Sequence, residues 1–101
     1  MSELSAKIQR LADIDRIIHE PARLMIVALL NAVKEADFQY LHQATGLTKG
    51  NLSVHLSKLE DARYIEIEKS FRGKYPLTIC RLTKEGREVL DTYRKVIKGA
   101  L

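Results

Sequence analysis

Residues 37–61 read DFQYLHQATGLTKGNLSVHLSKLED, and this stretch decides the fold. The carboxylate of Asp37 can accept unpaired N–H groups of a first helical turn, and Gly46 stands where helices end in a left-handed residue. Thr48, two residues after Gly46, is a second N-cap. After Thr48, Leu52, Leu56 and Leu59 recur at the spacing of one helical face, which predicts that they point inward. A helix that ends in glycine and is followed almost at once by a capped helix predicts a tight helix-turn-helix.

After this motif the hydrophobic period changes from helical to alternating. Residues 64–70 alternate apolar and polar side chains, as a half-buried strand does, and residues 75–82 form a second β-rich run. Gly73 lies in the short loop between them, so the two runs predict a β-hairpin. Pro76 lacks the N–H group that a central strand needs, which places the start of the second run at an edge or a bulge.

Apolar residues recur at helical steps both before and after this centre. The first segment predicts one helix that ends near His19, because the residue before Pro21 disfavours the α conformation. Pro21 then opens a second helix, and Thr83 caps the last one. The predicted fold is mainly α with a small β-hairpin wing, a winged helix-turn-helix in a single domain. We divide the chain into an N-terminal helix over residues 1–19, the winged helix-turn-helix domain over residues 20–83, and a C-terminal helix over residues 84–101.

Composition and charge narrow the classes of function. The chain has 101 residues, of which 46% are hydrophobic and 30% charged, so it predicts one folded domain rather than a disordered segment. The sequence has no apolar run long enough for a membrane span and no secretory signal at its start, and we expect a cytoplasmic protein without a membrane partner. Residues 49–101 carry twelve basic against seven acidic side chains, whereas residues 1–48 carry five against six. This asymmetry suggests a polyanionic partner for the second half, although a well-solvated surface would also explain it.

Several segments resemble short winged-helix transcriptional regulators related to the MarR and ArsR families. Residues 47–60 resemble their recognition helix, residues 69–78 their wing, and residues 82–87 the start of their last helix, while residues 21–24 (PARL) resemble the opening of their first core helix. The resemblance implies a cytoplasmic regulator that binds double-stranded DNA as a homodimer, and we expect it to act as a repressor. The family usually has glycine where this chain has Arg63, so either this turn is built differently or Arg63 accepts strain.

The outer face of the predicted recognition helix, residues 49–61, is polar or small and carries no acid before its far end. Such a face suits the major groove, where Asn51 could bond an adenine edge and Val54 could meet a thymine methyl. The wing, residues 70–76, would lie on the minor groove or the backbone. His55 lies near the inward face and suits a structural or phosphate-positioning role, and the lysines could also be ordinary solvated side chains. The candidate DNA-binding residues are Thr48, Lys49, Gly50, Asn51, Ser53, Val54, His55, Ser57, Lys58, Arg72 and Lys74.

We assign residues 20–83 to the DNA-binding domain and residues 1–19 and 84–101 to an N-terminal and a C-terminal dimerisation helix. These two helices each carry an apolar seam that could pair across a two-fold axis, or could simply cover the core of the same chain. The candidate dimer residues are Leu4, Ile8, Leu11, Leu90, Tyr93 and Ile97. A small-molecule effector could bind between such dimer helices and the DNA-binding domain, but the sequence does not identify one.

The sequence offers little support for other chemistry. His19, His42 and His55 are far apart and Cys80 is the single cysteine, so we expect no metal and no cofactor. Cys80 falls in the second strand and suits a small buried hydrophobe. The chain has no glycine-rich phosphate loop and no nucleophile motif, and we expect no enzyme. The alternative function is that of a winged-helix protein–protein interaction module within a larger transcription assembly.

Overall fold

Within residues 2–101, which the computed structural model describes, five α-helices and three β-strands follow one another. The helices are α1 (Glu3–Gln9), α2 (Pro21–Val33), α3 (Phe38–Thr45), α4 (Lys49–Asp61) and α5 (Lys84–Ala100), and the strands are β1 (Glu35–Asp37), β2 (Ile65–Arg72) and β3 (Tyr75–Leu82). The predicted winged helix-turn-helix fold is confirmed.

The helix-turn-helix is closed by the caps that the sequence predicts. The Asp37 carboxylate accepts the backbone N–H of Tyr40 at 2.7 Å, and α3 ends at Gly46 with φ of +72°. The hydroxyl of Thr48 accepts the backbone N–H of Asn51 at 3.1 Å and starts α4. These caps satisfy N–H groups that each first helical turn leaves unpaired, so the turn between α3 and α4 is short and fixed.

The three strands form an antiparallel sheet in the order β1-β3-β2. β2 and β3 pair from Ile65↔Leu82 to Arg72↔Tyr75 and are joined by a two-residue turn at Gly73. β1 pairs only with residues 79–81, so Pro76 lies beyond its end, where β3 has an open edge. That position suits a residue without an N–H group. The sequence pattern did not predict β1, which makes the hairpin part of a three-stranded sheet.

The core lies between the helices and the inner face of this sheet. Side chains from every layer are fully buried, namely Ile18, Ile26, Leu30, Leu41, Leu52, Leu59, Ile65 and Cys80. The predicted inward leucines of α4 therefore fix that helix against α2 and β2, and its opposite face is left to the solvent.

The prediction of one N-terminal helix up to His19 is wrong. α1 ends at Gln9, a short 3₁₀ turn follows over Arg10–Asp13, and Ile14 is extended with ψ of 148°. The Asp15 carboxylate accepts the backbone N–H of Ile18 at 2.9 Å, which offers the chain an alternative to helical hydrogen bonds. This turn places Ile18 in the core, where it is 0% exposed.

The turn after α4 places Arg63 in the left-handed conformation. Arg63 has φ of +65°, and the backbone N–H of Tyr64 donates to the Leu59 carbonyl at 3.0 Å while that of Arg63 donates to Glu60 at 2.9 Å. This is the Schellman arrangement, whose left-handed residue is usually glycine. Arg63 therefore accepts the strained conformation, at a cost on the order of 1 kcal/mol. The Thr83 hydroxyl donates to the Arg63 carbonyl at 2.7 Å and helps to hold the turn.

Candidate nucleic-acid interface

The outer face of α4 is open to solvent from its N-cap to its last turn. Val54 is 53% exposed although it is apolar, and the acidic pair Glu60 and Asp61 stands only at the far end. The sequence-predicted residues that lie exposed on this face and its flanks are Thr48, Lys49, Gly50, Asn51, Ser53, Val54, Ser57 and Lys58. A helix with such a face can approach phosphates closely without carboxylate repulsion.

Behind α4 lies a buried arginine that the sequence analysis did not single out for a role. Arg23 of α2 is 9% exposed, and its Nε donates to the Ile17 carbonyl at 2.6 Å. Its Nη1 lies 3.1 Å from Nδ1 of His55 and 3.8 Å from Oε2 of Glu20. Arg23 thereby joins the segment before α2 to the middle of α4. Helical periodicity could have indicated that Arg23 is buried, because it lies on the same face of α2 as the buried Ile26, Val27 and Leu30.

His55 is held from the inside by this arginine. A guanidinium can only donate, so Nδ1 of His55 is assigned as the acceptor and the ring proton is assigned to Nε2. The side chain is 19% exposed. The structure therefore commits one ring nitrogen of this predicted DNA-binding residue to packing between α2 and α4, and leaves the other nitrogen for a contact outside that network.

Glu20 caps α2 in the same cluster. Its carboxylate accepts the backbone N–H of Arg23 at 2.8 Å. Burial raises the pKa of Glu20, but the backbone N–H groups of Arg23 and Ala22 and the positive charge of Arg23 lower it below its ordinary value overall. Because the pKa of Glu20 is lower in the folded state, its ionised carboxylate stabilises the fold fully above the ordinary glutamate pKa. This stabilisation is lost as the pH falls through the pKa of the folded state.

The wing has two distinct faces. Cross-strand register places Ile67, Lys69 and Phe71 on the inner face, which continues the core-facing side of the sheet. A groove of about 600 Å³ runs between this face and α4, and Ser53, Ser57, Lys69 and Thr78 contribute to its lining. The inner face of the wing and the outer side of α4 therefore border one continuous surface.

The predicted wing arginine lies on the other face. Arg72 lines a separate cleft together with Asp37, Tyr40 and Leu77, on the side of the sheet away from α4. Lys74 stands exposed in the hairpin turn. Strand alternation in the sequence places Phe71 on the same face as Ile65 and Ile67, as observed, but neither Phe71 nor Lys69 was among the predicted DNA-binding residues.

The candidate dimer residues differ in their accessibility. Leu4 and Ile8 of α1 are 63% and 50% exposed, and Leu11 is half-buried. Leu90 is only 4% exposed because it belongs to the core of its own chain. Tyr93 and Ile97 are half-buried and line a mainly apolar groove between α2 and α5.

The described residues offer few groups for redox or metal chemistry. Cys80 is fully buried, and burial together with the nearby charges of Glu60 and Asp37 raises its pKa to about 11, which disfavours a reactive thiolate. Among residues 2–101, no three His, Cys, Asp or Glu side chains are placed to hold a metal ion together. In the same part of the chain, none of the helices has the length and apolar character needed to cross a membrane.

Comparison with known proteins agrees with this geometry. Residues 22–101 match the family model of the winged helix DNA-binding domain. The chain belongs to this family. This winged-helix protein is 36% identical to an uncharacterized protein of Methanocaldococcus jannaschii over 78 residues, which cover 77% of this chain and 85% of that one.

Solved structures show the same fold for the winged-helix protein. A transcriptional regulator homologue from Pyrococcus horikoshii superimposes with a TM-score of 0.79 at 26% identity, covering 97% of this chain and 92% of the other. A protein from Enterococcus faecalis described as a MarR-family regulator gives a TM-score of 0.72 at 18% identity, with 97% and 84% covered. An ArsR-family regulator shares the fold as well. The predicted resemblance to MarR- and ArsR-type regulators is confirmed at the level of the fold, and the family model identifies a winged helix DNA-binding domain.

Proposed function

We propose that this protein is a sequence-specific transcriptional repressor that acts in the cytoplasm and binds double-stranded DNA as a homodimer. In this proposal α4 enters the major groove, and the wing lies on the minor groove or the backbone. The observation that carries the proposal is the exposed outer face of α4, which holds no acidic side chain from residue 48 to residue 59. A carboxylate within that span would repel the phosphates on either side of the groove.

The residues of this face divide by the contacts that their chemistry allows. Asn51 is exposed on the first turn and suits a bidentate bond to an adenine edge, and Val54 suits a thymine methyl. Ser53 and Ser57 can bond either bases or phosphates, whereas Lys58 and the other basic side chains pair with phosphates. Base contacts would set the sequence preference, and phosphate contacts would set the register and the salt dependence.

We expect Lys58→Ala and Arg72→Ala each to weaken binding to every duplex and to make the salt slope of log affinity shallower by about 1, because each removes one phosphate contact. Fluorescence anisotropy with a labelled duplex at several salt concentrations measures both quantities. Lys95→Ala is the matched control, since it removes an exposed lysine from α5 rather than from α4 or the wing. Wild-type slopes in both variants would contradict the proposed orientation on DNA.

The dimer is proposed through the terminal helices. α1 exposes Leu4 and Ile8 and has no buried residue, so its apolar side lacks a full partner within the chain. The described chain measures 61 × 25 × 21 Å, with a radius of gyration of 15.5 Å. A compact domain of this length has about 13 Å, so the chain is elongated. A symmetric pair of such chains can place two recognition helices about 34 Å apart, one turn of the duplex.

We expect the double variant Leu4→Ser, Ile8→Ser to weaken self-association at least about a hundredfold, because each two-fold contact loses buried apolar side chains from both copies. Sedimentation equilibrium measures the association constant. The protomer should stay folded, since both leucine and isoleucine are exposed in it. Val33→Ser, at the far end of α2 and 40% exposed, is the control. A wild-type monomer at concentrations on the order of tens of micromolar would contradict the dimer.

A small-molecule effector, if the proposed repressor responds to one, would have a place near the terminal helices. A cavity of about 420 Å³ lies between the segment after α1 and the side of α5, and Arg10, Ile14, Tyr93 and Val96 line it. Its position beside the proposed dimer helices would let an occupant change the spacing of the two recognition helices.

A further inference from the structure

The tip of the wing exposes two aromatic side chains. Phe71 is 70% exposed and Tyr75 is 78% exposed, and both belong to the hairpin that also carries Arg72 and Lys74. Single exposed apolar residues are common on protein surfaces. Residues 71–75 thus hold two exposed aromatic and two basic side chains, which is a local concentration. The two aromatic side chains lie on different faces of the hairpin, so each has different neighbours.

Phe71 lies on the face of the wing that borders α4. It pairs with Pro76 across the hairpin and shares its face with Ile67 and Lys69. Lys69 lines the groove that Ser53 and Ser57 border from the side of α4. Phe71 therefore continues this wall outward, beyond the groove and toward the tip.

The core of the protein does not account for Phe71. On the inner face of β2, burial decreases from the core toward the tip: Ile65 is buried, Ile67 is half-buried and Lys69 is exposed. Phe71 lies two residues further out and has Pro76 as its cross-strand partner. A cross-strand pair of this kind stabilises a hairpin only modestly, and it leaves most of the aromatic ring in water.

We propose that Phe71 makes a direct apolar contact with the minor groove of DNA next to the site that α4 occupies. This inference rests on the proposed function, because it presumes that α4 lies in the adjacent major groove. Phenylalanine is among the apolar side chains that proteins insert between base steps in the minor groove. Lys69 and Lys74 stand on either side of Phe71 along the hairpin and would neutralise the flanking phosphates. Tyr75 projects from the opposite face and has no such contact.

An apolar contact has a signature that a phosphate contact lacks. Phe71→Ala removes no charge and releases no additional counterion, so affinity should fall by the same factor at every salt concentration. We expect a loss of at least about tenfold with an unchanged salt slope, since a buried phenylalanine ring contributes that much. The measurement uses the full chain and a fluorescein-labelled duplex selected by the wild-type protein from a random-sequence pool. Hydroxyl-radical footprinting of the same duplex locates the sugars that the wing protects.

Two matched variants separate the contact from a general effect on the hairpin. Tyr75→Ala alters the other exposed aromatic of the same tip, on the opposite face of the hairpin, and should lose less affinity than Phe71→Ala. Phe71→Leu keeps an apolar side chain and should recover part of the affinity. Circular dichroism and urea unfolding of each variant report whether the hairpin has changed.

The outcomes are distinct. The proposal is supported if Phe71→Ala loses affinity by the same factor at all salt concentrations and loses hydroxyl-radical protection only at the sugars beside the site of α4. Wild-type affinity in Phe71→Ala overturns it, and so does a slope that changes as it does in Lys58→Ala, because the effect would then pass through charges. A wild-type protein that shows no salt-dependent binding to any duplex contradicts the proposed function itself, which is a different result.

Discussion

Replacing Arg23 by methionine is expected to lower the free energy of unfolding by about 3 kcal/mol. The variant keeps a long, flexible side chain, so little volume is lost. It removes the donor to the Ile17 carbonyl at 2.6 Å and the donor to His55 at 3.1 Å. Both acceptors are then left part-buried and unpaired, and an unmade buried hydrogen bond costs more than a made one contributes.

The shape of the guanidinium gives this prediction a second test. Arg23 reaches two acceptors on different segments at once, through Nε and Nη1. Lysine carries the same charge on a single nitrogen and lacks the planar fork. Arg23→Lys should therefore also lose stability, by at least about 1 kcal/mol, which a purely ionic role for Arg23 would not produce.

Urea unfolding followed by circular dichroism measures these changes, at one fixed protein concentration because self-association would shift the midpoint. Arg16→Met is the matched control, since Arg16 is exposed and lies in the same N-terminal half. That variant should stay within about 0.5 kcal/mol of the wild type. A similarly small effect in Arg23→Met would show that the cluster contributes nothing to holding α4.

Local signals were sufficient for most of the fold. Asp37, Thr48 and Thr83 each cap the helix that the sequence predicted for them, and Gly46 is left-handed as expected. These features depend on hydrogen bonds within four residues, so the identity of one side chain nearly determines them. The hairpin was equally accessible because its alternation extends over many residues.

The errors arose where distant contacts compete with a local pattern. β1 spans only Glu35–Asp37, which is too short for alternation to be visible, and it exists because β3 pairs with it. The segment before α2 has helical periodicity but breaks at Ile14, since Asp15 bonds the backbone of Ile18 and accepts the hydroxyl of Tyr64 from the end of α4. A pattern within the first twenty residues contains no information about that tyrosine.

The candidate interface was predictable on α4 and less so on the wing. A helix shows its outer face once three inward leucines are known, and all three of these leucines are buried as expected. On the wing the residue types suggested Arg72, whereas register places Lys69 and Phe71 on the side of α4. Alternation in the sequence already groups Phe71 with Ile65 and Ile67, but only the packing of that face against the core shows that it shares a surface with the recognition helix.

The second large effect is expected at Gly86, where alanine should lower the free energy of unfolding by about 3 kcal/mol. Gly86 lies in the first turn of α5, and its N–H donates to the Thr83 hydroxyl at 3.0 Å. A Cβ at this position would lie 2.2 Å from the Tyr64 carbonyl oxygen and 2.7 Å from Cδ1 of Leu82. The leucine side chain can rotate, but the carbonyl is backbone.

The Tyr64 carbonyl has little freedom to move away. It accepts the backbone N–H of Thr83 at 3.0 Å, and it follows directly on the left-handed Arg63 in the turn after α4. Relief of the clash would require α5 to shift away from that turn and break this hydrogen bond. The glycine therefore allows α5 to begin against the turn that ends the recognition helix.

Gly99 provides the matched control within the same helix. A Cβ there meets no atom within 4 Å, so Gly99→Ala should raise stability by up to about 1 kcal/mol through helix propensity alone. Both variants make the same chemical change in α5, and propensity by itself predicts a gain for both. Opposite signs in urea unfolding would show that the close approach to Tyr64 outweighs propensity at Gly86, whereas a gain in both variants would contradict the close packing of α5 on the turn after α4.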